Sequence, residues 1–173
     1  TGEGSLFGSN LWGKAAKVGV GNATVSPEDL AMLALIQARL QKELPANFKT
    51  GERSLEINFE GMSFFESGKT KILPDAETQI QKVITLLSKY KDIVKVTVQG
   101  HTDPTKTSKR HTFSDNWELS ALRATSVLKL FIKEGFSQEN LSAEGFAESR
   151  SNREVASEMS KEELAKLRKI TLR

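Results

Sequence analysis

The side chains best suited to chemistry in this chain fall in two short runs. Gly100-His101-Thr102-Asp103 follows an alternating stretch containing Val94, Val96 and Val98, and Asn116-Trp117-Glu118-Leu119-Ser120-Ala121-Leu122-Arg123-Ala124 opens a helical pattern. Asn116, Ser120, Arg123 and Val127 share one face of that helix, which sets Asn116 and Arg123 about two turns apart. An arginine fork can grip a carboxylate through two parallel hydrogen bonds, and an aspartate at a strand end can accept from an ammonium. Asp103 and Arg123 together therefore suit a zwitterionic amino-acid head group. Nucleophilic catalysis finds little here: the chain has no Gly-x-Ser-x-Gly, no P-loop and no His-Glu-x-x-His. A hydrolase would have only His101, Asp103 and His111 as its reactive set, and a metal held by them would lack a third or fourth ligand at suitable spacing. No cofactor and no metal are expected, and His101 reads as a structural hydrogen-bond partner at the strand end.

The elements that must position these groups can be read along the chain. Thr1 to Thr24 is glycine-rich, with Leu6, Phe7, Leu11 and Trp12 as its sizeable apolar groups before Val18, and reads as a flexible leader. Ser26-Pro27-Glu28-Asp29 offers an N-cap, a first-turn proline and first-turn acids, and the helix it starts closes at Pro45. Leu55 to Phe59 alternates like a half-buried strand, and Phe64 to Gly68 is a second short run ending in a turn. After Pro74, residues Ala76, Ile80, Val83, Ile84 and Leu87 form one helical face. Asp115 is expected to cap the next helix, with Glu118 completing a capping box and Gly135 stopping it. Leu141 to Phe146 reads as a strand, Ser160 with Glu163 as another capping box, and Ile170-Thr171-Leu172 as a closing strand. Strands alternate with helices from Leu55 onward, which predicts an α/β (α+β) sandwich with helices on one face of the sheet. Trp117, just inside the helix, reads as a core or interface anchor in preference to a platform for a sugar ring.

The bulk composition is consistent with one such domain plus an extension. The 173 residues are 38% hydrophobic and 27% charged, with a formal net charge of +3 and no cysteine. That charge is too small and too evenly spread for a nucleic-acid groove, and the Lys106, Lys109, Arg110 cluster reads as a solvated loop. No apolar run reaches membrane-spanning length, and the first residues lack the order of a signal peptide, so the numbering is expected to begin after an anchor segment.

Gly-His-Thr-Asp, a loop, then Asn-x-x-Leu-Ser-x-x-Arg-Ala resembles the hallmark of the OmpA-like (OmpA/MotB) peptidoglycan-binding domain. The resemblance covers roughly Leu55 to Arg173, with Ser63 to Leu73 similar to the family's opening strand. It implies a β/α/β/α/β fold with a mixed sheet, and puts the two ends of a stem-peptide diaminopimelate on Asp103 and Arg123, with Asn116 and Thr102 as supporting contacts. Asn-Trp-Glu-Leu-Ser and the long insertion before it resemble the flagellar-stator branch, MotB and its sodium-driven relatives, more than outer-membrane porins or lipoproteins. That branch implies a non-catalytic wall anchor in the periplasm, a homodimer, a MotA-like stator subunit and flagellar ring proteins as partners, and an inner-membrane helix preceding this chain. The expected division is a leader over 1–25, a linker helix over 26–50 and the peptidoglycan-binding domain over 51–173. An OmpA-like outer-membrane protein or lipoprotein unrelated to motility is the alternative, and a peptidoglycan hydrolase a further one. Two departures stand out: Gly145-Phe146-Ala147-Glu148 in place of Gly-x-Gly-Glu, and Leu167-Arg168-Lys169-Ile170 in place of Asn-Arg-Arg-Val. Reversing the charge at Asp103 or Arg123 is expected to abolish binding and leave the fold intact.

Overall fold

The computed structural model describes residues 26–51, 54–59, 63–103, 113–149, 160, 163 and 170–172. The leader, the loop bearing Lys106, Lys109, Arg110 and His111, and Leu167 to Lys169 lie outside the described residues. Chain order runs α1 (Pro27–Glu43), β1 (Asn47–Thr50), β2 (Leu55–Asn58), α2 (Pro74–Leu87), β3 (Val96–Gly100), α3 (Asn116–Lys133), β4 (Leu141–Gly145) and β5 (Ile170–Leu172). The five strands form one mixed sheet in the order β1-β2-β5-β3-β4. The pair β3 and β4 is parallel, whereas β5 runs antiparallel to both β2 and β3. The expected α/β sandwich with a mixed sheet is what the chain forms.

The helix boundaries follow the local chemistry read from the sequence. Ser26 and Asp29 cap each other at the start of α1, with Pro27 inside the first turn. At the end of α3, Gly135 takes φ +84, its N–H donates to Ile132 O, and the Phe136 N–H donates to Phe131 O. That is a Schellman stop, and the Phe136 ring closes it by packing edge-on against Phe131 at 5.3 Å. Ser160 Oγ accepts from the Glu163 N–H while the Glu163 carboxylate accepts from the Ser160 N–H, the reciprocal pair expected there. At α3 the expected box is corrected: Asp115 does cap the Glu118 N–H, but the Glu118 carboxylate reaches Ser114 N–H and Oγ instead of Asp115.

One face of the sheet carries the core. Ile57 and Val98 each pair with Leu172, and all three point toward the helices. They meet Ile36 and Leu40 of α1, Ile80, Val83 and Ile84 of α2, and Ala124, Val127 and Phe131 of α3, with Phe59, Phe64 and Phe65 filling one end. Thus α1 shares the same core as the later helices. The opposite residues of the strands are polar and satisfy each other. Thr171 Oγ1 donates to Asn58 Oδ1 at 2.6 Å, Asn58 donates to Glu56, and Gln99 donates to Glu144. Strand β1, not read from the sequence, extends this sheet antiparallel to β2; only Phe48 of its four residues is apolar. The Phe64 to Gly68 run forms a tight turn outside the sheet, with Gly68 at φ +63 and a single bridge between Phe65 and Ile72. No helix among the described residues is long and apolar enough to cross a membrane.

Candidate functional site

The two runs singled out in the sequence meet at the carboxyl end of the parallel pair β3 and β4. Gly100 faces Gly145 across that pair, and the pairing continues beyond both strands: Phe146 N–H donates to Gly100 O and Thr102 N–H to Ala147 O. Helix α3 crosses this end at very short range. A Cβ added at Gly100 would collide with the Ser120 carbonyl, and one at Gly145 would sit 2.7 Å from Ser120 Oγ and 2.8 Å from Ala121 N. Both glycines therefore set how closely helix and sheet approach. Ser120, itself buried, pins the junction: its Oγ accepts from Ala147 N–H at 3.0 Å and donates to Trp117 O.

Asp103, Thr102 and His101 are all buried at this strand end. His101 stacks on Phe146 at 5.6 Å, and its Nε2 lies 3.4 Å from Thr171 Oγ1. It is a structural partner in the sheet's polar face, as expected for a strand-end histidine. Thr102 Oγ1 is shielded from solvent and makes no hydrogen bond, although its backbone N–H is satisfied by Ala147. Asn116 ties three segments together. Its amide donates to the Asp103 carbonyl at 3.4 Å and to Glu148 Oε2 at 3.2 Å. Asp103, Thr102 and Asn116 are thus brought together, and Glu148 joins them, a carboxylate visible in the sequence only as the last residue of the Gly-Phe-Ala-Glu stretch.

Arg123 lies two turns along the same helix and has no exposed surface. Its Nε donates to Lys69 O at 2.9 Å and its Nη2 to Glu66 O at 3.0 Å, and the guanidinium carbon sits 4.9 Å from the centre of the Phe65 ring. The arginine therefore fastens the 65–72 turn onto α3. Those two carbonyls and the ring are neutral groups that fix the position of the guanidinium. The expectation that Arg123 could be reversed in charge without touching the fold is corrected by this burial: a carboxylate there would face two carbonyl oxygens away from water. The reading of Trp117 as a core anchor is corrected too. Trp117 is 55% exposed and takes no part in the core.

Ala147 adopts φ +47, a left-handed conformation that glycine accepts freely and an L side chain resists. The residue that stands where Gly-x-Gly-Glu has its second glycine is thus the one place among the described residues where a non-glycine holds positive φ.

Residues 64–166 match the OmpA family. Among curated proteins, the chain is 32% identical over 103 residues to the uncharacterized protein YtxE of Bacillus subtilis, an alignment covering 59% of this chain and 41% of that one. The chain thus spans less than half the length of that relative. Among solved structures, a putative MotB-like protein from Desulfovibrio vulgaris superposes with a TM-score of 0.64 at 22% identity, over 84% of this chain and 87% of the other. The periplasmic domain of Helicobacter pylori MotB gives 0.60 at 22% identity, over 76% and 80%. The cell wall anchor of the type VI secretion system from Pseudomonas aeruginosa gives 0.60 at 23% identity, over 81% and 94%. The match of sequence over more than half the chain, joined to a shared fold, makes this chain a member of the OmpA family.

Proposed function

We propose that this chain is a non-catalytic peptidoglycan anchor, and that it serves as the periplasmic part of a MotB-type flagellar stator subunit. The observation that carries the reading is the buried Asp103 at the end of β3, bridged by Asn116 to the helix that holds the buried Arg123. In this reading Asp103 accepts from the ammonium of a stem-peptide diamino acid, and the Arg123 charge attracts its carboxylate. Thr102, with an unspent buried hydroxyl, and Asn116 complete the cradle. Buried polar groups that fix a ligand's orientation reject analogues lacking the matching partner, which here means stems without a free zwitterionic end. The likeness to MotB periplasmic domains supports the stator role. That role brings with it a two-fold dimer, a MotA-like subunit, flagellar ring proteins as neighbours and an inner-membrane helix upstream. The similarity to a secretion-system wall anchor supports a second reading, a peptidoglycan anchor outside motility.

Co-sedimentation with purified diaminopimelate-type sacculi tests the shared core of both readings. The native chain should pellet, and Asp103→Asn, which keeps the shape and removes the charge, should weaken binding at least ~10-fold, the scale of one charge-assisted contact. Arg123→Gln, which removes the cation, should do the same while thermal unfolding confirms that each variant is folded. A native chain that stays in the supernatant sinks the proposal.

A further inference from the structure

Trp117 is the one aromatic among the exposed large apolar side chains of the described residues. An indole left 55% open is unusual for a side chain that can bury 150–250 Å², about, when packed. Its place is informative. It is the second residue of α3, immediately after Asn116, whose amide touches both Asp103 and Glu148. It also shares a helix flank with Ala121, one turn on, whose backbone lies against Gly145 of the edge strand β4. Trp117 therefore stands on the rim of the candidate site, on the β4 side of the sheet, while Asn116, Ser120 and Arg123 face inward.

We infer that Trp117 is a stacking platform for a sugar ring of the glycan to which the bound stem peptide is attached. The inference rests on the stem-peptide reading above. The wall's diamino acid is joined to its sugar through about two further residues, and an extended chain spans ~3.3–3.6 Å per residue, so the sugar falls within roughly 10 Å of the bound head group. A side chain one residue from Asn116 lies within that reach. The apolar C–H face of a pyranose covers an indole without requiring hydrogen bonds from it, which suits a ring presented flat to solvent with polar neighbours around it. The site would then read the wall at two points, the amino-acid head group in the buried cradle and the sugar on the rim.

The test is a four-way calorimetric titration of the whole chain: native and Trp117→Ala, each with a diaminopimelate stem peptide and with the same peptide carrying its disaccharide. The native chain should prefer the disaccharide form by about tenfold, equivalent to about 1.4 kcal/mol. Trp117→Ala should lose that preference and bind the bare peptide as the native chain does, and Trp117→Tyr, which keeps a ring, should retain most of it. Equal affinity of the native chain for the two ligands overturns the platform while leaving the stem-peptide reading intact. Equal weakening of both ligands by Trp117→Ala overturns it as well, because that marks a structural role. A native chain that binds neither ligand overturns both readings, and a fall in self-association of Trp117→Ala by sedimentation would assign the ring to a second copy instead.

Discussion

Helix α3 contains two kinds of interior in one element. Its second half buries Ala124, Val127 and Phe131 against apolar neighbours, with Phe136 folded back to cover the end. Its first half buries Ser120 and Arg123 just as completely, but holds them by directed bonds: Ser120 to Ala147 and Trp117, Arg123 to Glu66 and Lys69. Apolar packing responds to volume and forgives a change of shape, whereas a buried polar group answers to one partner in one direction. The stable half of the helix holds the domain together. The directed half fixes the relative positions of three loops, which is what a binding cradle needs.

Paired substitutions break this comparison open. Phe131→Ala should cost about 4 kcal/mol of unfolding free energy in urea, and Phe131→Leu only about 1 kcal/mol, because a smaller apolar group refills most of the space. Arg123→Ala should cost about 3 kcal/mol through the stranded carbonyls of Glu66 and Lys69. Here the conservative replacement should not rescue: a lysine ammonium cannot present two fixed donors to two carbonyls, so Arg123→Lys should remain within about 1 kcal/mol of the alanine variant. Rescue at position 123 equal to that at 131 would erase the distinction. Ser120→Ala comes next. It strands the Ala147 N–H and should cost about 1.5 kcal/mol, with amide exchange at Ala147 rising while exchange near Phe131 stays unchanged.

The same division explains what was legible in the sequence. Periodic apolar faces and caps wrote α1, α2, α3 and the closing strand directly, since Ser26-Pro27, Pro74 and Gly135 each act within a turn of their own position. Strand β1 was not legible, because Asn47-Phe48-Lys49-Thr50 has a single apolar residue and owes its conformation to the partner β2. At the site, Asp103, Asn116 and Arg123 could be picked out by type and spacing. The carbonyls of Glu66 and Lys69 could not, because a backbone acceptor carries no sequence signature, and for that reason Arg123 read as a projecting side chain when it is a buried tie. Trp117 misled for the opposite reason: its hydrophobicity argued for packing, while its place at the helix start put it beyond the core.

Ala147 lets the directed half be strengthened as well as weakened. Its φ of +47 costs an alanine ~1–2 kcal/mol relative to glycine, partly offset by the extra freedom glycine has when unfolded. Ala147→Gly should therefore raise the unfolding free energy by about 0.5–1 kcal/mol, whereas the same change at Ala124, inside the helix, should lower it by about 1 kcal/mol or more. A loss of stability at both positions would show that the left-handed turn is held without strain.

The smallest effect belongs to a directed contact of α3 that is open to water. Glu118 accepts from both the N–H and the hydroxyl of Ser114, and these bonds hold its carboxyl below the ordinary carboxylate range, against a weaker opposing push from burial and from Asp115. A carboxylate whose folded pKa is depressed adds stability above its unfolded pKa and loses it as pH falls through the folded value. Being fully exposed, it should contribute far less than Ser120 or Arg123. Glu118→Gln removes the titration but keeps an acceptor, so the native chain should melt slightly above the variant at neutral pH, and the gap should close on acidification below the ordinary carboxylate range. A gap unchanged by acid would mean that the contact acts by shape and not by charge, and would align this exposed bond with the tolerant half of the helix.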